Sequence, residues 1–334
     1  MKINKNNVTL EDVARKADVS VSTVSRVINN GIVAEKTRKK VEKVIKEINY
    51  SPNTIARSLR GGRTNIIGFI IPDITNPFFT KLINELGKIY KDKGYSIIVC
   101  NTYDDPKIEK IQIETLLGKR VDGLLVTSSD IKFARTYEKI NRNCPVVLID
   151  RLISEELDSI RTDNIDGSMH AVSYLINKGR RNILTIAGPQ QYTPGKERYE
   201  GFIKTLELFN LPVKESLIKF GDFTKRSGYE LTKEALNNNV NFDAIFAANN
   251  FMGAGAFKAL KDNGYKIPED VALIMFDDLD LADVANPPIT VVIQSTKEIG
   301  RRAGNLILDL IENKEKHEPK QIMIKSTLEI RKSV

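Results

Sequence analysis

Apolar residues in the first 50 positions recur every three or four residues, which is the period of an amphipathic helix. The pattern predicts three helices, which begin near Thr9, after Ser20 and near Ala34. Thr9 and Ser20 are good N-cap residues, and Asp12 lies three positions after Thr9, as in a capping box. Two short helices joined by a tight turn and followed by a third predict a helix-turn-helix domain over residues 1–50.

After residue 63 the pattern changes to short, continuous apolar runs that alternate with helical stretches. Such runs are typical of strands buried on both faces of a parallel sheet. The series occurs twice, so we expect two α/β subdomains with a ligand cleft between them. One of the helices, over 198–210, is expected to begin at Arg198. The predicted strands are 66–71, 95–100, 121–126 and 145–149 in the first series, and 182–187, 217–219, 244–247 and 271–276 in the second.

A short segment, residues 51–63, separates the head from the body. Ser51 is a good N-cap, Pro52 suits the first helical position, and Gly61 would stop the helix. Isolated helices shorter than ~12–15 residues are marginal in water, so this helix should form only where a partner supports it. The alternative is a linker with a frayed turn.

The formal charge of +8 is concentrated in residues 1–63, which hold 14 Lys and Arg against 6 Asp and Glu, a net +8. The rest of the chain is therefore formally neutral. A basic head on a neutral body predicts a polyanionic partner for the head.

Composition narrows the class of protein further. No apolar run is long enough to span a bilayer, and residues 1–7 lack the apolar core of a signal peptide. Cys100 and Cys144 lie beside apolar runs, as buried thiols of a reducing compartment do. We therefore expect a cytoplasmic protein with no membrane partner. The two histidines are far apart, and neither a P-loop nor a G-x-S-x-G motif occurs, so no catalytic residue, metal site or cofactor is expected.

Residues 10–29 resemble, almost without a break, the DNA-binding head of the LacI–GalR family of bacterial transcription repressors. Asp18 stands where that family usually has Gly, and Asp tolerates left-handed backbone better than most residues. The body resembles the same family and the related periplasmic sugar-binding proteins over essentially its whole length. The blocks that carry this resemblance are 72–79, 198–202, 246–250, 267–271, 276–278 and 287–294.

The resemblance implies an α/β fold, with an N-terminal helix-turn-helix head joined by a hinge helix to a two-subdomain, periplasmic-binding-protein-like body with parallel sheets. The head would cover 1–50, the hinge 51–63 and the body, which also carries the dimer contact, 64–334. Within the body, we expect a first subdomain over about 64–163 plus 290–320, and a second over about 164–289 plus 321–334.

By the same resemblance, the second helix enters the major groove of DNA. Arg26 can form a bidentate pair with guanine, and Leu59 would wedge between bases in the minor groove. The hinge would pair with its twin, fold on DNA and unfold when a ligand moves the subdomains. Plain capping or solvation remains the alternative for the serines and threonines. The implied DNA-binding residues are Ser20, Val21, Ser22, Thr23, Ser25, Arg26, Asn29, Tyr50, Asn53, Ala56, Arg57 and Leu59.

A sugar site needs planar polar groups for hydroxyls and aromatic rings for the sugar face. In open α/β sheets such groups lie at the carboxyl ends of strands. The alternatives are that Phe78 and Phe79 belong to the core, and that Asp150 and Arg151 form a structural ion pair. Resemblance to the ribose-type branch of the family implies the ligand-binding residues Asn76, Phe78, Phe79, Asp150, Arg151, Arg198, Phe223, Asn249, Asp277 and Gln294.

The sequence thus predicts a homodimeric repressor of carbohydrate-utilisation genes. It would bind a palindromic double-stranded operator and respond to a small sugar effector, ribose first or another pentose. Within this class, the alternative is a catabolite-control regulator whose corepressor is a phosphorylated carrier protein. An enzyme acting on a sugar and a solute-binding protein for transport are other classes, disfavoured by the missing catalytic motifs and by the basic head.

Overall fold

The computed structural model describes residues 8–28, 31–50, 63–279, 282–313 and 318–334. The chain divides into two units, Met1–Thr64 and Asn65–Val334. The expected hinge, residues 51–62, lies outside the described ranges, as does Asn29.

The head contains three helices around one small core, α1 (Leu10–Lys16), α2 (Val21–Ile28) and α3 (Glu35–Glu47). The predicted capping box of α1 is confirmed, because the Thr9 hydroxyl accepts from the backbone of Asp12 and the Asp12 carboxylate accepts from the backbone of Thr9. Asp18 lies in the turn with φ of 45°, as its position predicted. The head therefore has the expected helix-turn-helix order.

The first sheet of the body has six parallel strands in the order β11-β5-β4-β3-β1-β2. Its strands are β1 (Ile66–Ile71), β2 (Ser96–Asn101), β3 (Gly123–Val126), β4 (Val146–Ile149), β5 (Asp158–Thr162) and β11 (Gln321–Ile324). The helices packed on its two faces are α4 (Pro77–Lys93), α5 (Pro106–Gly118), α6 (Ala134–Asn141) and α11 (Thr296–Glu312), and a 3₁₀ turn covers Ile131–Phe133.

The second sheet has the order β12-β10-β9-β8-β6-β7 and is parallel except for its edge strand β12, which is antiparallel to β10. Its strands are β6 (Ile183–Ala187), β7 (Ile218–Phe220), β8 (Ala244–Ala247), β9 (Ala272–Phe276), β10 (Thr290–Ile293) and β12 (Thr327–Glu329). Its helices are α7 (Asn164–Asn177), α8 (Thr193–Leu208), α9 (Lys225–Asn237) and α10 (Asn250–Asp262), and a 3₁₀ turn covers Glu215–Leu217.

The chain crosses between the two sheets three times, after β5, after β10 and after β11. The expected subdomain limits differ from this topology at two places. β10 pairs with β9 in the second sheet, although 290–320 was expected in the first subdomain. β11 pairs with β5 in the first sheet, although 321–334 was expected in the second. The physical reason is that the side chain of Ile324 completes the core of the first sheet.

Helix α8 begins five residues earlier than predicted, at Thr193 rather than Arg198. Pro194 occupies the first turn, where a missing backbone N–H costs little. Arg198 therefore lies inside the helix, not at its start. No helix in the described ranges is both long and apolar enough to cross a membrane.

Candidate functional site

Three of the expected ligand-binding residues lie at or shortly after the carboxyl ends of strands, and they come from both sheets. Asp150 directly follows β4, Asp277 directly follows β9, and Phe223 lies in the loop after β7. All three have left-handed backbone, with φ of 66°, 67° and 68°. This conformation is strained for non-glycine residues and persists only where surrounding contacts impose it. These three residues therefore share one backbone conformation, which the surrounding contacts impose.

Arg198 is the centre of the polar network and is 3% exposed. Its Nε donates to Asn164 Oδ1 at 2.8 Å, and its Nη1 donates to the carbonyl of Ala248 at 2.7 Å. Nη1 also lies 3.6 Å from Asp277 Oδ2, and the guanidinium carbon is 3.8 Å from the centre of the Phe276 ring. The guanidinium is thus fixed both at its edges and on one face.

Gln294 joins Asp277 to the first subdomain. Its Nε2 donates to Asp277 Oδ1 at 2.7 Å, and its Oε1 accepts from the hydroxyl of Thr162 at the end of β5. Burial raises the pKa of the Asp277 carboxyl, and the nearby Arg198 and Gln294 act against this rise. Three of the expected ligand residues therefore form one continuous network.

Arg151 pairs with Asp104 and not with Asp150, contrary to the structural alternative. Its Nη1 and Nη2 donate to the two carboxylate oxygens of Asp104 at 2.5 and 2.9 Å. Its guanidinium carbon lies 3.7 Å from the centre of the Tyr192 ring, which comes from the second subdomain. Sequence reasoning missed Asp104 and Tyr192. Asp104 lies just after β2, so the strand-end rule could have found it.

Asp150 has an unusual environment. Its Oδ1 is buried and has no hydrogen-bond partner in the part of the chain that the structure describes. Burial raises the pKa of this carboxyl, although Arg198 and Arg151 lower it. Because buried polar atoms are almost always paired, this oxygen is suited to accept from a bound hydroxyl.

The predicted aromatic residues differ in their surroundings. Phe78 and Phe79 are 6% and 4% exposed, and their rings meet edge to face within the core of the first sheet, 5.0 Å apart. The core alternative is therefore supported for both. Phe223 is only partly buried, and its ring occupies the space that a Cβ at Gly188 would need, 2.2 Å away. Phe223 is thus the aromatic ring most available to a ligand.

Asn76 and Asn249 both serve as helix caps. Asn76 Oδ1 accepts from the backbone of Phe78 at 3.0 Å, and Asn249 Oδ1 accepts from Met252 at 2.9 Å. Asn250 Nδ2 also donates to Asn76 Oδ1 at 3.2 Å, across the cleft. Capping therefore uses part of the hydrogen-bonding capacity that was expected for a ligand.

Further polar contacts join the subdomains beside this network. The Tyr192 hydroxyl donates to the carbonyl of Ser129 at 3.2 Å, and the backbone of Leu152 donates to the Thr193 hydroxyl at 3.0 Å. The loop that carries Ser128 and Ser129 is held by Glu109, which is fully buried. The Glu109 carboxylate accepts from the Ser128 hydroxyl at 2.7 Å and from the Ser129 backbone at 2.6 Å. Polar contacts therefore bridge the two subdomains at several places beside the network.

In the head, the expected DNA-reading residues follow the outer side of α2. Ser20, Ser22 and Arg26 are exposed, and Val24 and Val27 on the opposite side are buried. The Ser20 hydroxyl accepts from the backbone of Thr23 at 3.2 Å, so Ser20 acts as a helix cap. The partly buried residues of the expected set on α2 are Val21, Thr23 and Ser25.

Tyr50 differs from the other expected DNA-binding residues. Its side chain packs in the head core and is 9% exposed. This placement favours a structural role over the expected DNA contact. The expected contacts of Asn29, Asn53, Ala56, Arg57 and Leu59 fall on positions outside the described residues.

The cleft offers hydrogen-bond donors and acceptors and the partly buried ring of Phe223. Within the described ranges, no three His, Cys, Asp or Glu side chains are grouped as metal ligands would be. The arrangement is suited to binding a small polar molecule by its hydroxyl groups.

Comparison with known proteins covers nearly the whole chain. Residues 9–53 match the model for bacterial regulatory proteins of the lacI family, and residues 64–332 match that for periplasmic binding proteins and the sugar-binding domain of the LacI family. The chain is 37% identical to the HTH-type transcriptional repressor PurR of Actinobacillus pleuropneumoniae serotype 3 (strain JL03), over 98% of each chain. It is 35% identical to the ribose operon repressor of Escherichia coli (strain K12), over 91% of this chain and 93% of that one.

Among solved structures, a lac repressor dimer bound to operator and the anti-inducer ONPF is similar, with a TM-score of 0.88 and 28% identity. The likeness covers 98% of this chain and 99% of that one. The curated relatives quoted above are transcriptional repressors rather than enzymes.

Proposed function

Because the chain belongs to the LacI family of bacterial regulatory proteins, we propose that it represses carbohydrate-utilisation genes under the control of an uncharged sugar in the cleft. The sugar we favour is ribose or another pentose, acting as an inducer. One observation carries this proposal: the network of Arg198, Asp277 and Gln294 lies beside Asp150, whose buried Oδ1 has no partner in the described chain.

The chemistry of the cleft favours hydroxyl groups. A hydroxyl both donates and accepts, so it can satisfy a carboxylate on one side and a guanidinium on the other. A phosphorylated ligand would bring negative charge next to Asp150 and Asp277, whose pKa values burial already raises. The cleft therefore favours a neutral sugar over a sugar phosphate.

A purine is the second candidate effector, and the 37% identity to a repressor named PurR favours it. A flat purine needs an exposed aromatic face. Phe78 and Phe79 are buried in the core, so of the expected rings only the partly buried Phe223 could stack on a purine. We therefore rank a pentose above a purine and use the two as competing ligands in the test.

On the DNA side, we propose that α2 reads the major groove through Val21, Ser22 and Arg26. A single head makes few phosphate contacts, so useful affinity needs two heads on a palindrome and hence a homodimer. Structural likeness to a lac repressor dimer on its operator supports this arrangement.

The test combines ligand binding with DNA release. A thermal-shift and calorimetric panel would contain D-ribose, D-xylose, ribose 5-phosphate, hypoxanthine and guanine, since a ligand of the folded state raises apparent stability. We expect a pentose to bind and to release DNA that was selected from a random duplex library. Arg198→Ala and Asp277→Ala should keep DNA binding and lose the response, while the exposed control Arg302→Ala should keep both. Binding of a purine alone would contradict the sugar proposal.

A further inference from the structure

Arg161, on β5, was not among the expected ligand residues, yet it lies in the same network. The residue is 7% exposed, and its Nη1 donates to Glu197 Oε1 at 2.9 Å. Glu197 belongs to α8 of the second subdomain, so this ion pair spans the two subdomains. Arg161 is therefore directed from the first sheet towards the facing helix.

Glu197 connects Arg161 to the centre of the cleft. Its Oε2 accepts from Asn164 Nδ2 at 2.8 Å, and Asn164 Oδ1 accepts from Arg198 Nε at 2.8 Å. The next residue along β5, Thr162, donates to Gln294. Both Arg161 and its neighbour thus join the network that holds the expected ligand residues.

Three polar atoms of charged side chains in this region lack partners within the described residues. They are two buried donors, Arg151 Nε and Arg161 Nε, and one buried acceptor, Asp150 Oδ1. Arg161 and Asp150 are neighbours, because they directly follow Ile160 and Ile149, which pair between β5 and β4. One hydroxyl group can satisfy Arg161 Nε and Asp150 Oδ1, because it accepts through its oxygen and donates through its hydrogen.

We propose that Arg161 is an additional effector-binding residue, whose Nε–H donates to a sugar hydroxyl that in turn donates to Asp150 Oδ1. This inference rests on the proposed function. The ion pair with Glu197 orients the Arg161 guanidinium so that its Nε–H faces the sugar. The position of Arg161, and with it the affinity for effector, thus depends on the contact between the two subdomains.

The test uses Arg161→Lys in the full chain. Lysine keeps a positive charge for Glu197 but has no Nε–H in the fixed geometry of the guanidinium. We expect the variant to bind D-ribose about tenfold to a hundredfold more weakly in calorimetry, as for loss of a hydrogen bond to a charged group. Arg142→Lys is the matched control, because Arg142 is exposed at the end of α6, and its affinity should not change.

Monodeoxy analogues of ribose separate a direct contact from a structural effect. The analogue that lacks the partner hydroxyl should bind the unchanged protein and Arg161→Lys equally weakly. Glu197→Gln should bind D-ribose more weakly but keep the same dependence on that hydroxyl.

Equal D-ribose affinity of Arg161→Lys and the unchanged protein would refute this inference alone. A uniform loss for every analogue would also refute it, because Arg161 would then only position other groups. If the unchanged protein bound no pentose, the proposed function would fail, and this inference with it.

Discussion

Replacing Arg198 by methionine tests whether the charge balance of the cleft is understood. The change removes two charge-assisted hydrogen bonds, to Asn164 and to the carbonyl of Ala248, and the cation 3.6 Å from Asp277. Asp277 then remains buried without a cation beside it in the described chain, and only Gln294 still donates to its carboxylate. Removing one partner of a buried ion pair costs ~3–5 kcal/mol. For a body of this size, the loss corresponds to a melting temperature about 6–20 °C lower.

The pH dependence gives the sharper test. Burial already raises the pKa of Asp277 and Asp150, and Arg198 opposes both rises. Without Arg198 both folded-state pKa values move further up. A carboxyl with a raised folded-state pKa stabilises the folded state below its unfolded pKa and loses that contribution as pH rises through the folded value. The loss of stability in Arg198→Met, relative to the unchanged protein, should therefore be largest near pH 8 and smaller towards pH 5.

The test is to measure the melting temperatures of the unchanged protein and of Arg198→Met, as full chains, at pH values between 5 and 8. The control is Arg302→Met, since Arg302 and Glu298 form an exposed pair that contributes little to stability. The double variant Arg198→Met with Asp277→Asn should recover part of the loss at pH 8. A decrease in melting temperature no larger than that of Arg302→Met, or one that does not change with pH, would refute the reasoning.

Four further substitutions test other parts of the molecule. Arg26→Ala should weaken specific DNA binding by ~1–3 kcal/mol in gel-shift titrations, with sugar binding unchanged. Gly188→Ala should displace the Phe223 ring, whose nearest atom lies 2.2 Å from the new Cβ, and should lower sugar affinity in calorimetry. At Gly87 a new Cβ has no neighbouring atom within 4 Å, so Gly87→Ala should instead raise the free energy of unfolding by ~0.5–1 kcal/mol. Glu109→Gln should loosen the Ser129 loop and weaken sugar binding more than DNA binding.

The sequence predicted the elements with strong local signals. β1 matches its predicted bounds, and the capping box of α1 is confirmed. Apolar runs indicate which residues are buried but not which sheet receives them, so β10 and β11 were assigned to the wrong subdomains. The start of α8 was misplaced because Tyr192, which offers no side-chain cap, precedes it.

Two long helices, α7 and α11, were not predicted, although α11 carries a periodic stripe that includes Ile299, Ala303 and Ile307. In the cleft, resemblance supplied Arg198, Asp277 and Gln294, which the structure brings together. The strand-end rule points to Asp104, but Arg161 and Glu197 could not be found from the sequence. Their roles depend on pairings between distant segments, and no local pattern encodes those pairings.

The positions of β11 and β12 have a consequence for synthesis of the protein on the ribosome. These strands lie within the last 14 residues of the chain, and each forms an edge of a different sheet. The head needs only contacts among residues 8–50, so it can fold as soon as it emerges. Premature termination near residue 320 would therefore release a polypeptide with a folded head and two incomplete sheets. Because a single head makes few phosphate contacts, such a fragment should bind DNA only weakly and without responding to effector.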